Sequence, residues 1–94
     1  MSTHPVHDNT AAHRFELRVD GAVAALATYR MRGADVVVLH TETDPRLRGR
    51  GLAGELAEQT LRQLRARGQR IVPACPFFAR YLAEHPEHAD LVAH

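Results

Sequence analysis

The run Arg46-Leu47-Arg48-Gly49-Arg50-Gly51 combines cationic side chains with conformationally free backbone. It follows an apolar stretch, Val36-Val37-Val38-Leu39, and opens a helical pattern from Leu52 to Arg67. A strand that feeds an Arg- and Gly-rich turn and then a helix is suited to holding phosphate. The helix start offers unpaired N–H groups and the positive end of its dipole. Gly49 and Gly51 lack Cβ, so an anion can approach the backbone closely. Arg48 and Arg50 add long cationic arms. The chemistry these residues support is binding of a phosphorylated cofactor. Two further reactive groups flank the run. His40 and Glu42 close the preceding strand. Cys75, the only cysteine, stands before Pro76 at a helix start, where the dipole favours negative charge.

The elements that must position these groups fit in one small domain, since the chain has 94 residues. Met1 to Ala12 is polar and aperiodic and reads as a mobile arm, leaving 13–94 as the domain. From Arg14 the pattern alternates strictly, with Phe15, Leu17 and Val19 on one side. Asp20-Gly21 is a strong hairpin turn. Ala22 to Met31 reads as a second strand. Arg32-Gly33 is another turn. Asp35 to about Glu42 is a third strand, and its Val-rich run predicts cover on both faces. Asp44-Pro45 breaks it. The long helix presents Ala53, Leu56, Ala57, Thr60, Leu61 and Leu64 on one face. Gly68 suits its C′ position. Arg70 to Ala74 is a short fourth strand, in which Pro73 cannot donate to a ladder. A second helix starts at Pro76 and ends at His85-Pro86. The predicted order is β-β-β-α-β-α, a mixed α/β fold with a three-stranded antiparallel meander and a parallel-paired last strand.

Composition narrows the function classes. Apolar content of 45% and charged content of 24% describe a soluble globular chain. No apolar run is long enough to span a membrane, and no secretory signal opens the chain, so the cytoplasm is the expected location. A formal net charge of +1 argues against a general nucleic-acid binder. All the basic residues other than histidine are arginine, so there is no lysine for a Walker-type nucleotide site. A single cysteine excludes an intrachain disulfide. His4, His7 and His13 repeat the spacing of His85, His88 and His94, but no cysteine joins either set and no metal is expected. A monomer or a homodimer is expected.

Three meander strands followed by Arg46-x-x-Gly49-x-Gly51 at a helix start resemble the GNAT superfamily of acetyl-CoA-dependent N-acetyltransferases. The resemblance covers about Arg14 to Leu82. More narrowly, His40 in Leu39-His40-Thr41-Glu42 and the segment Cys75-Pro76-Phe77 resemble short single-domain GNAT-like proteins. The resemblance implies acetyl-CoA as cosubstrate, lying where the central strand and the next strand splay apart. It implies cofactor contacts from Thr41, Thr43, Arg46, Arg48, Gly49, Arg50, Gly51, Leu52 and Ala53, with Arg80 within reach of a phosphate. It also implies an amine acceptor, which the sequence does not identify. The chain departs from larger members by ending before their C-terminal strands. It also carries Cys75-Pro76 where many have an asparagine.

Acetyl transfer to an amine needs a base, an oxyanion donor and close approach of the reactants. His40 is the first candidate base, because imidazole suits proton transfer at neutral pH. Glu42 is its rival. Strand parity puts both on the face of Val36 and Val38 if no bulge intervenes. Cys75 is a candidate acetyl carrier, against a plain role as a small core residue. Tyr81 is a weaker candidate for general acid, against core packing. The competing readings are a CoA- or acetyl-CoA-binding module without catalysis, and a loop that holds another phosphate compound or RNA.

Overall fold

The computed structural model describes residues 4–93. Five strands form one sheet in the order β1 (Val6–Asn9), β2 (Arg14–Val19), β3 (Ala22–Arg32), β4 (Asp35–Thr43) and β5 (Arg70–Pro73). The first four pair antiparallel, and β4 pairs β5 in parallel. Helix α1 (Leu52–Arg67) makes the crossover between them. Helix α2 (Pro76–Glu84) follows β5, and a 3₁₀ segment (Pro86–Leu91) brings Val92 beside Ile71.

Residues 6–9 correct the reading of the N-terminus as an arm. They form β1, in register with β2 from Val6 opposite Leu17 to Asn9 opposite Arg14. Their hold is tertiary and polar. The Tyr29 hydroxyl donates to Asp8 Oδ1 (2.7 Å), and Arg67 of α1 donates to Asp8 Oδ2 (2.7 Å). Asn9 closes the turn into β2 by accepting from the Ala12 amide. Residues 1–3 of that arm, and His94, lie outside the described residues.

The meander follows its turn chemistry. Asp20 and Gly21 both have positive φ (52° and 81°), as a two-residue hairpin turn requires. Leu52, Leu56, Ala57, Thr60, Leu61 and Leu64 form the buried face of α1. They pack on Phe15, Leu17, Ala25, Ala27, Tyr29, Val36, Val38 and Ile71, which line one face of the sheet. Phe78 and Leu82 of α2 and Leu91 complete this core. Ala53, expected on the buried face, sits instead at its edge. Gly68 ends α1 in the left-handed conformation (φ 69°) and bonds back to Leu64 and Arg65.

Both helices lie against the same face, so among the described residues the opposite face carries no helix. Cover on both sides, expected from the Val-rich run of β4, is absent there. Val37 is nevertheless buried among its strand neighbours.

Asp8→Ala removes the acceptor of the Tyr29 hydroxyl and of Arg67 Nη1. It is expected to lower unfolding free energy by about 1–3 kcal/mol, read from urea denaturation, with Tyr29→Phe costing less.

Candidate functional site

The parallel ladder between β4 and β5 is short. Its last pair is Val38 opposite Pro73. Proline has no N–H to donate, and the next amide, Ala74, turns back onto Val72 O (3.0 Å). The chain therefore leaves the sheet while β4 continues to Thr43. Along that free edge, between the start of α1 and the side of α2, lies a cleft of about 900 Å³.

One wall is the turn into α1. Gly49 and Gly51 adopt left-handed backbone (φ 84° and 73°), and Gly51 is the N-cap of α1. No side chain caps this helix. The first internal bond runs from the Glu55 amide to Gly51 O (3.1 Å). The amides of Leu52, Ala53 and Gly54 precede it and have no acceptor within the helix. Arg48, Gly49, Gly51, Leu52, Ala53 and Gly54 all line the cleft. An anion placed there would meet free N–H groups, the positive helix end and one guanidinium.

The other arginines of the run face elsewhere. Arg46 makes a two-pronged ion pair with Asp44 (3.2 and 2.9 Å), and its amide also bonds Asp44 Oδ1 (3.0 Å). These bonds hold the Asp44 carboxyl below its ordinary pKa. Arg46 and Arg50 line a separate depression beside the β2–β3 turn. The structure therefore does not bring Arg46 and Arg50 to the cleft with the rest of the expected set. Arg80 does line it, from α2, with its guanidinium 6.0 Å from the Phe77 ring centre.

The β4 edge supplies His40, Thr41, Glu42 and Thr43. A bulge sets their directions. Tyr29 pairs Val38 but Thr28 pairs His40, so Leu39 is the extra residue. The bulge reverses the parity expected for this strand. Thr41 and Thr43 stand opposite Ala27 and Ala25 on the helix-covered face. His40 and Glu42 stand opposite Thr28 and Leu26 on the open face, not beside Val36 and Val38. His40 Nε2 lies 3.2 Å from Glu42 Oε2, with both side chains about 60% exposed (60% and 62%). A carboxylate so placed orients the ring.

Cys75 is the N-cap of α2 and is buried, 4% exposed. Its Sγ contacts Thr41 Oγ1 (3.2 Å), one side chain behind the cleft wall. It and His40 lie on opposite sides of β4. Tyr81 is not among the residues that line the cleft. Its hydroxyl donates to Glu58 Oε1 (2.7 Å), and its ring stacks on His85 (3.9 Å between centres). Burial and the bond to Glu58 push the phenol above its ordinary pKa, which weakens it as an acid. His88 Nε2 also reaches Glu58 Oε1 (2.9 Å), and Arg62 reaches Oε2 (2.9 Å). Burial alone would raise the Glu58 carboxyl, but these hydrogen bonds outweigh it and bring the pKa down to about 2.

Pro45, Leu47, Gly54 and Phe77 line the cleft without having been expected there. The signal for Phe77 was its spacing from Arg80, since residues three apart share a helix face. His4, of the first histidine set, pairs instead with Glu55 (3.2 Å).

The model of a family described as GCN5-related N-acetyl-transferase matches residues 14–91. A solution structure from Staphylococcus aureus, described as "a GCN5-like putative N-acetyltransferase", superimposes with a TM-score of 0.72 at 20% identity. The alignment covers 99% of this chain and 91% of that one. No curated protein matches the sequence closely enough to serve as a relative. Among the described residues, no helix is long and apolar enough to cross a membrane.

The Glu58 cluster generates a pH dependence. The folded carboxyl titrates near 2 against an ordinary 4.5. Its stabilising contribution is therefore complete above about pH 4.5 and is lost as pH falls toward 2. Acid titration followed by circular dichroism is expected to show less loss between these pH values in Glu58→Gln, from a lower starting stability, than in the parent.

Proposed function

Because the chain belongs to the GCN5-related N-acetyltransferase family, we infer that it moves an acetyl group from acetyl-CoA to an amine by direct attack. One observation carries this reading. A helix start with uncapped amides and an unpaired strand edge line the same cleft. The first suits the diphosphate of CoA. The second suits its pantetheine arm, which has amides of its own to pair with strand backbone. Arg48 and Arg80 supply further charge for phosphate.

In this reading His40, oriented by Glu42, takes the proton from the attacking amine. Free β4 amides beside the gap stabilise the oxyanion. Thr41 holds the β4 edge against Cys75 through the 3.2 Å contact. Cys75 packs the start of α2. Its burial and its place behind Thr41 favour direct transfer over an acetyl-cysteine route. The commitment of the Tyr81 hydroxyl to Glu58 favours a structural role for that residue. Arg46 braces the turn through Asp44 and contributes to CoA binding only indirectly.

His40→Ala is expected to lower kcat about 100-fold with CoA affinity unchanged by calorimetry. An unaltered rate, or CoA binding without any acetyl loss over a broad amine panel, would favour a binding module. Intact mass spectrometry after incubation with acetyl-CoA is expected to show no adduct on Cys75. An added acetyl group that disappears in Cys75→Ala would replace direct transfer with the covalent route.

A further inference from the structure

The sheet face without helices is not electrically neutral. By strand register it carries Arg14, Arg18, Arg30, Arg32 and Arg70. Against these stand three carboxylates, Glu16, Asp35 and Glu42. Glu16 is 1% exposed although no helix covers it, because Arg14 (2.5 Å) and Arg18 (3.1 Å) fold over it. Asp35 is shared with Arg32 (3.9 Å). Arg30 and Arg70 are exposed and make no ion pair among the described residues. One more charge is left over from the two arginines on Glu16. Arg30 shares a row with Val37 and Val72, Arg70 stands in the next row opposite Asp35, and Leu39 is 45% exposed beside them.

This surface is continuous with the reaction centre. His40, Thr28 and Arg14 occupy one row across β4, β3 and β2, and Glu42, Leu26 and Glu16 the next. Adjacent strands lie about 4.8 Å apart, so Arg14 sits about 10 Å across the sheet from His40. The His40–Glu42 pair, about 60% exposed, borders both the cleft and this open face. A small amine arriving across this face would find one carboxylate at the pair, whereas a larger partner draws on the whole face.

We propose that the acceptor is an amine on an acidic protein segment, which docks across this open face through Arg30 and Arg70 and presents its amino group to His40 and Glu42. The proposal rests on the acetyl-transfer reading for the identity of the reacting group, and on charge complementarity for the partner. Exposed Leu39 and the carboxylates on the same face favour side chains over a uniform phosphate backbone.

The test uses a fluorescein-labelled peptide with one lysine flanked by aspartate and glutamate. Anisotropy measures its binding to the full chain. The same peptide serves as acceptor with acetyl-CoA, against a basic-flanked lysine peptide and butylamine. The peptide is expected to bind, and Arg30→Glu/Arg70→Glu to weaken that binding at least tenfold while CoA affinity stays unchanged. Arg30→Gln/Arg70→Gln is expected to give an intermediate loss, which guards against misfolding of the charge reversal. In turnover, the reversal is expected to raise KM for the acidic peptide and leave the butylamine rate unaltered. Absent binding, binding indifferent to both double variants, or tighter binding of an RNA oligonucleotide of equal charge would overturn the proposal. CoA titration fails independently if the acetyl-transfer reading is the part at fault.

Discussion

The site depends on where one hydrogen-bond ladder stops. Strands β4 and β5 begin in register, and their pairing ends at Val38 and Pro73. Proline at that position cannot extend the ladder, and Ala74 has already turned its amide onto its own strand. Five more residues of β4 continue alone on that side. Unpaired strand edge is usually a liability that proteins cover. Here it is kept inside a cleft, next to the uncapped start of α1. Two sets of backbone groups without partners thus face the same space, and a ligand that satisfies both gains from each.

The bulge at Leu39 adds a second constraint. Without it, His40 and Glu42 would point into the core under α1 and the threonines would face outward. With it, small Thr41 and Thr43 lie under the helices and the ionisable pair reaches the open face. That sorting follows desolvation. A charged pair is costly inside an apolar core, whereas a threonine packs there with one hydroxyl to satisfy. Thr41 meets Cys75, so the cleft wall and the start of α2 are coupled through that contact.

Much of this was legible in the sequence, because the responsible signals are local. Turn glycines, the proline at the start of α2 and the period of α1 each act within a few residues. They gave the meander, both helices and the glycine-rich turn into α1. The losses were all tertiary. Strand β1 has one apolar residue in its four, and it is held by Asp8 reaching Tyr29 and Arg67, far away in sequence. The bulge leaves no mark in the alternation of β4, so the faces of His40 and Glu42 came out reversed. Arginines spaced two apart look equivalent, yet Asp44 captures Arg46 and leaves Arg48 to the cleft. Tyr81 has the composition of an acid near a site, but Glu58, on the other helix, takes its hydroxyl.

The central claim is that the first turn of α1 and the free edge of β4 hold one ligand together. Amide chemical-shift mapping with CoA tests it most directly. The account predicts the largest shifts at Gly49, Gly51, Leu52, Ala53 and Gly54, together with Leu39 to Thr43, and little change in β1 and β2. Shifts centred on the depression beside Arg46 and Arg50, or none at saturating CoA, would contradict it.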